Sequence, residues 1–261
     1  FFGADGPLGI YYENQVLTEK ICSVALAFVM FYGGFGTKWK TARPVAVKAI
    51  LLSFMGVVLT ALSVTAFCTF VLGMQWMEGF LIGSVLSSTD AASVFSILRS
   101  KHLSLKYGTD SLLEIESGSN DPVSYMLTTI AIAMITGQQT SIGYMLFAQI
   151  AYGVLIGVGV AVLTVMILRK TTLVAEGLDT IFIVAVVLIS YALPSMVGGN
   201  GYLSVYLTGI ILGNSPIRHK KILVPFFDGI TNLAQICIFF ILGLLSFPSR
   251  LPAILQAVMQ G

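Results

Sequence analysis

The sequence predicts an all-α, polytopic membrane protein. Three observations carry this. Hydrophobic residues make up 56% of the 261 positions and charged residues only 10%, against about 25% charged in soluble domains. The mean hydropathy is +0.92. The apolar runs are continuous over ~20 residues, the length of a membrane-spanning helix, and do not alternate over ~10 as barrel strands would.

Taken in order, residues 1–16 (FFGADGPLGIYYENQV) are rich in Gly, Pro and Asn and predict a loop. A first helix is expected over Leu17–Gly36, followed by the basic turn TKWKTAR. The second is expected over Val45–Leu72, with Lys48 near its start, where the side chain can reach the interface. The third is expected over Glu78–Leu98 and is followed by the basic segment RSKHLSLKYG. The fourth covers Thr109–Ile135 and ends in the uncharged turn GQQTS. The fifth is the long run Ile142–Leu168, closed by Arg169-Lys170. The sixth is Leu178–Val197, and the turn GGNG leads to the seventh, Tyr202–Leu212. NSPIRHKK precedes the eighth, Pro225–Phe247, and residues 251–261 begin a ninth.

The basic loops alternate. Lys38, Lys40 and Arg43, then Arg99, Lys101 and Lys106, then Arg169 and Lys170, then Arg218, Lys220 and Lys221 follow the odd-numbered helices. The opposite loops hold almost no Lys or Arg, Arg250 excepted. This bias places the basic loops in the cytoplasm and residues 1–16 outside. Trp39, Trp76 and Tyr11-Tyr12 fall at expected interfaces, as an aromatic belt would. The basic residues form no stripe, so nucleic acid is not an expected partner. Cys22, Cys68 and Cys237 sit inside apolar runs, without the spacing of a disulfide framework or a metal motif.

The departure from this apolar pattern is Gly83–Pro122, GSVLSSTDAASVFSILRSKHLSLKYGTDSLLEIESGSNDP. Acids within the bilayer are costly and mark functional sites. Twelve residues at about 1.5 Å each carry the third helix from Glu78 to Asp90 near the midplane. Twelve more carry the fourth from Thr109 to Asp121 at matching depth, entering from the opposite side. Ser87-Ser88-Thr89 compete for backbone hydrogen bonds, so a break is expected over Ser87–Ala91. Asp110, Glu114, Ser117 and Asp121 follow i, i+4, i+7, i+11, a polar stripe along one face. Glu116 and Asn120 form an adjacent i, i+4 pair. Pro122 frees the Gly118 carbonyl and is expected to kink the helix.

Asp90, Asp121, Ser117 and Thr89 supply carboxylate and hydroxyl oxygens, the ligands that a hard monovalent cation requires. A desolvated carboxylate holds a proton when no cation is present. A site that takes either one, but not both, is the chemical minimum for exchange. The same oxygens would also serve a cation channel or a cation sensor. An intramembrane serine protease built on Gly118-Ser119 is excluded, because His102 and His219 fall in cytoplasmic loops and no Ser–His dyad forms. The chain is therefore not expected to be an enzyme, and no cofactor is expected beyond the transported ions. Gly153-x-x-x-Gly157, with Gly159, suits close helix packing within the chain or at a dimer interface. Asn232 and Gln235 in the eighth helix suit either a cavity lining or hydrogen bonds across helices.

GSVLSSTDAASVFSIL followed by LEIESGSNDP resembles the monovalent cation/proton antiporter superfamily, in its NhaP-type potassium or sodium/proton branch. GADGPLGIYYEN, FYGGFGTKW and YLTGIILGNSPIRHKK…FFDGITNLAQICIFFILGLL extend the likeness over most of the chain. The resemblance implies an antiporter fold with broken, crossed helices and inverted repeats, a dimerisation part and a homodimer in the cell membrane. It implies that residues 1–261 form one transmembrane domain, incomplete at both ends, with about two helices before Phe1. By position, Thr89 and Asp90 match an unwound threonine–aspartate pair, and Ser117 and Asp121 match the ion-ligating serine and aspartate. A monovalent cation, potassium in preference to sodium, would sit at Asp90, Ser117 and Asp121. Asn120 matches the branch associated with electroneutral exchange. Glu116 matches a glutamate that pairs with an arginine beyond Gly261. Glu114 is expected to support the site. Tyr32 stands where many relatives carry an acid.

Overall fold

The computed structural model describes residues 3–89, 105–138, 141–170, 178–217 and 220–250. Among the described residues there are eight α-helices and no strand. They are α1 (Gln15–Gly36), α2 (Trp39–Phe70), α3 (Trp76–Leu86), α4 (Thr109–Ile135), α5 (Ile142–Lys170), α6 (Leu178–Met196), α7 (Gly201–Asn214) and α8 (Lys220–Leu244). The expected ninth helix lies outside the described residues.

Side chains set the starts of two helices. Asn14 accepts the Leu17 N–H at 2.9 Å and caps α1. Asn200 does the same for Leu203 at 3.0 Å and caps α7. Both place a side-chain oxygen on an amide that the first turn cannot satisfy. Two helices start earlier than the sequence suggests. Helix α2 begins at Trp39 and passes through Pro44, and α8 begins at Lys220 and passes through Pro225. Each proline lies only one to two turns in. At Pro44 the missing N–H leaves the carbonyl of exposed Lys40 without its helical donor, at an end that water reaches. Helix α3 ends at Leu86, well short of Leu98. Ser87 forms a turn, and Ser88 and Thr89 are outside the helix. The break therefore begins where the serine–threonine run predicts it, and its continuation from Asp90 lies outside the described residues.

The helices pack in two groups. Helices α2, α3 and α4 touch one another, and α1 packs against α6, α7 and α8, with α5 on α6 and α7. Helix α4 joins the groups through α1, α5 and α7. The second group holds the main apolar core, including Met30, Phe31, Ile183, Val205, Leu212 and Phe227. The Phe31 and Phe227 rings lie 4.9 Å apart between centroids.

Glycines permit the closest crossings. A Cβ on Gly213 would stand 2.1 Å from the Phe35 carbonyl oxygen, and one on Gly34 2.3 Å from that of Tyr206. Helices α1 and α7 thus meet backbone to backbone, the arrangement that maximises dispersion contacts between helices in lipid. The Gly153-x-x-x-Gly157 pair is used in the same way within the chain. A Cβ on Gly153 would lie 2.9 Å from the Asn200 oxygen, and one on Gly157 2.7 Å from that of Ser204, both on the α7 side.

Among the described residues, five helices are long and apolar enough to cross a membrane: α1, α2, α5, α6 and α8. The other three are short or polar. Helix α3 has 11 residues and α7 has 14, while α4 has 27 but carries the acidic stripe. These three are also connected in space, α3 to α4 and α4 to α7. The helices least fit to face lipid are the ones gathered around the acids.

Candidate ion site

The site is built where α3 stops against the middle of α4. Helix ends leave carbonyls without partners, and here hydroxyls supply them. Ser87 Oγ donates to the Ser84 carbonyl at 2.7 Å, and Ser124 Oγ of α4 donates to the same oxygen at 2.6 Å. Ser84 Oγ donates to the Phe80 carbonyl at 2.7 Å. The end of α3 is therefore clamped to α4 one turn beyond Asp121.

The two residues after this clamp turn onto Asp121 and Asn120 of α4. Ser88 Oγ donates to Asp121 Oδ1 and lies 3.5 Å from Asn120 Oδ1. Asn120 Nδ2 donates to Thr89 Oγ1. Asn120 is 1% exposed, Asp121 is half-buried and Thr89 is exposed. Backbone that leaves the helix thus reaches a carboxylate and an amide from the neighbouring element, and the contact spans more than thirty positions in sequence. Oxygens of Asp121, Ser88, Thr89 and Asn120 come together at one level of the bundle. They are hard, and only Asp121 among them is ionisable.

Three more of the expected residues, Glu114, Glu116 and Ser117, precede Asp121 on α4. Ser117 is buried, and its hydroxyl donates to Glu116 Oε2 at 3.3 Å. It lies one turn before Asp121 on the same face. Glu114 and Glu116 are half-buried on the cytoplasmic side of Ser117. Asp90 lies outside the described residues.

Three contributions were missed from the sequence. The serine–threonine run marks Ser88 only as a helix breaker, although its hydroxyl donates to Asp121. Tyr206 packs across Gly118, where a Cβ would stand 2.6 Å from the ring and its oxygen. Asn200 is fully buried and ties three helices together. It caps α7, its N–H donates to the Gln149 carbonyl at 3.0 Å, and its Nδ2 donates to the Pro122 carbonyl at 2.9 Å. The only sequence signal for Asn200 was an Asn before an apolar run. Helix α4 runs on through Pro122 to Ile135.

The sequence model of the sodium/hydrogen exchanger transmembrane family matches residues 4–259. A K(+)/H(+) antiporter NhaP2 of Shewanella oneidensis is 37% identical over 254 residues, covering 95% of this chain and 44% of that protein. A K(+)/H(+) antiporter NhaP of Alkalimonas amylolytica is 36% identical over 252 residues, again 95% of this chain and 44% of the relative. The chain thus spans less than half the length of these relatives. Among solved structures, the sodium proton antiporter MjNhaP1 of Methanocaldococcus jannaschii has a similar fold. The TM-score is 0.76 at 22% identity, over 91% of this chain and 60% of that one.

Proposed function

The chain belongs to the sodium/hydrogen exchanger family, and on that premise we propose that it exchanges a monovalent cation for protons across the cell membrane by alternating access. Potassium is the preferred cation, because the relatives at 37% and 36% identity are named K(+)/H(+) antiporters. The alternative, a cation channel or a cation sensor using the same oxygens, draws no support from either name.

Asp121 is the carrier: it holds a proton or a cation in turn. Asp90, Thr89 and Ser117 complete the cation site. Asn120 fixes the unwound end of α3 through Thr89, and Glu116 and Glu114 support the approach. The neutral Asn120 beside Asp121 fits one-for-one, electroneutral exchange. Residues 1–261 act as one transmembrane domain, and the working unit is a homodimer.

The observation that carries this reading is a pair of bonds, from Ser88 Oγ to Asp121 and from Asn120 Nδ2 to Thr89. A broken helix end and a carboxylate share one oxygen cluster, so protonation of the carboxylate changes the same ligand set that a cation needs. Irregular backbone at membrane depth is tolerated where it lines such a cavity. The test is the full-length protein in proteoliposomes, with internal pH followed by a dye and the potential clamped. Potassium pulses should move protons outward or inward with the gradient, and sodium less well. Cation current without proton counterflow would favour a channel.

A further inference from the structure

A hydroxyl from the broken end of α3 lies directly on Asp121. Ser88, the second residue past that helix, donates to Asp121 Oδ1. Ser117 on α4, by contrast, turns its hydroxyl toward Glu116 Oε2, at 3.3 Å. The direction of Ser88 is set by the residue before it. Ser87 is 5% exposed, and its hydroxyl is engaged by the Ser84 carbonyl that Ser124 of α4 also reaches. With Ser87 pinned there, the next side chain is delivered onto α4.

Three acceptors surround the Ser88 hydroxyl. Besides Asp121 Oδ1, Asn120 Oδ1 lies 3.5 Å from Ser88 Oγ, and the Thr89 carbonyl oxygen lies 3.4 Å away. Asn120 is 1% exposed, and its Nδ2 donates to Thr89 Oγ1, which holds the amide with Oδ1 toward Ser88. A hydroxyl carries one hydrogen and two lone pairs. A turn about the Cβ–Oγ bond therefore changes which acceptor is served, with no movement of the backbone. Donated to Asp121, the hydrogen stands between the hydroxyl oxygen and any cation on that carboxylate. Turned to Asn120 Oδ1, it leaves a lone pair of Ser88 Oγ facing the same space as the carboxylate.

We propose that Ser88 is a cation ligand that changes sides. It donates to Asp121 in the cation-free protein; when a monovalent cation binds at Asp121, its hydrogen turns to Asn120 Oδ1 and its oxygen joins the ligands. The assignment rests on the exchange reading for the presence of a cation at Asp121, and it adds to that site a residue the family resemblance did not single out.

The test compares potassium with thallium(I), a softer ion of similar size, in the full-length protein. Ser88→Cys puts a soft sulfur where a hard oxygen stood, and soft ligands favour soft ions. Two readouts are taken for each ion: the KM in proteoliposomes, and the rise in melting temperature in detergent, which requires binding but no transport. Ser88→Cys should raise the ratio of potassium KM to thallium KM at least about fivefold, and the melting shifts should follow the same order. Ser88→Ala should weaken both ions alike, and Ser88→Thr, which keeps the hydroxyl, should stay within about threefold of the wild-type potassium KM. Ser119→Cys is the control, because the native Ser119 hydroxyl donates to the Ile115 carbonyl of its own helix; its ratio should not move. An unchanged ratio in Ser88→Cys overturns the ligand role. If Ser88→Cys does not fold, wild-type affinity in Ser88→Ala, or a Ser88→Thr as weak as Ser88→Ala, overturns it instead. Exchange by the wild type with an unmoved ratio removes Ser88 alone. Ion-dependent melting with the ratio shifted, but no exchange by the wild type, keeps Ser88 and removes the exchange reading. A wild type that neither exchanges nor responds to either ion removes both.

Discussion

The α1–α7 crossing and the α3–α4 contact both bring two helices close together, by opposite means. At α1–α7 the side chains are removed. Gly34 and Gly213 leave no room for a Cβ, and the aromatic residues around them close the interior. At α3–α4 the side chains are polar and the helix itself is given up. Ser87 and Ser124 converge on one carbonyl, and Ser88 and Thr89 reach Asp121 and Asn120. The first contact has one arrangement, because dispersion at that range tolerates no displacement. The second is made of rotatable hydroxyls and one ionisable group, which can repack around a proton or a cation. A rigid crossing beside an adjustable one suits the exchange cycle proposed for this chain.

This contrast can be broken most forcefully at its rigid side. Gly213→Leu puts a side chain where even a Cβ would be 2.1 Å from the Phe35 oxygen. It should destabilise the protein by at least about 3 kcal/mol, seen as loss of the melting transition in detergent. A wild-type melting curve would show that the crossing is looser than described. Asn200→Ala tests the link between the two regions. It removes the α7 cap and the bond to the Pro122 carbonyl, so stability should fall by about 2 kcal/mol.

Ser88→Ala tests the adjustable side alone. The melting temperature should hold, while cation affinity weakens about tenfold, the equivalent of one hydrogen bond to a charged group. A drop in stability without a change in affinity would make Ser88 structural. The smallest effect is expected at Gly159, which has nothing within 4 Å of its built Cβ. Gly159→Ala should change stability by under about 1 kcal/mol, in the stabilising direction through helix propensity. Gly157→Ala should be clearly destabilising by the same melting assay. Equal behaviour of the two would undo the glycine argument.

How far the sequence carried the fold depended on whether a signal was local. Continuous apolar runs located α1, α2, α5, α6 and α8, and Ser87-Ser88-Thr89 located the end of α3. Helix starts were misplaced at Pro44 and Pro225, because a proline near a water-facing end leaves only one carbonyl without its donor. The acids of α4 stood out because charge in an apolar chain is visible without a partner. Ser88 as a donor to Asp121, Tyr206 against Gly118 and Tyr32 with Asp228 were not legible. Each needs a partner 33, 88 or 196 positions away, and only the packing of the helices supplies that distance. The glycine pair of α5 showed its spacing in the sequence, but not that α7 would fill it.

In the proposed exchange cycle one carboxylate, Asp121, alternates between proton and cation at the end of α3. The most direct measurement is potassium-driven proton movement by Asp121→Asn in proteoliposomes, alongside its melting curve. No exchange above empty liposomes is expected, with the fold retained; wild-type exchange rates from Asp121→Asn would rule out Asp121 as the carrier.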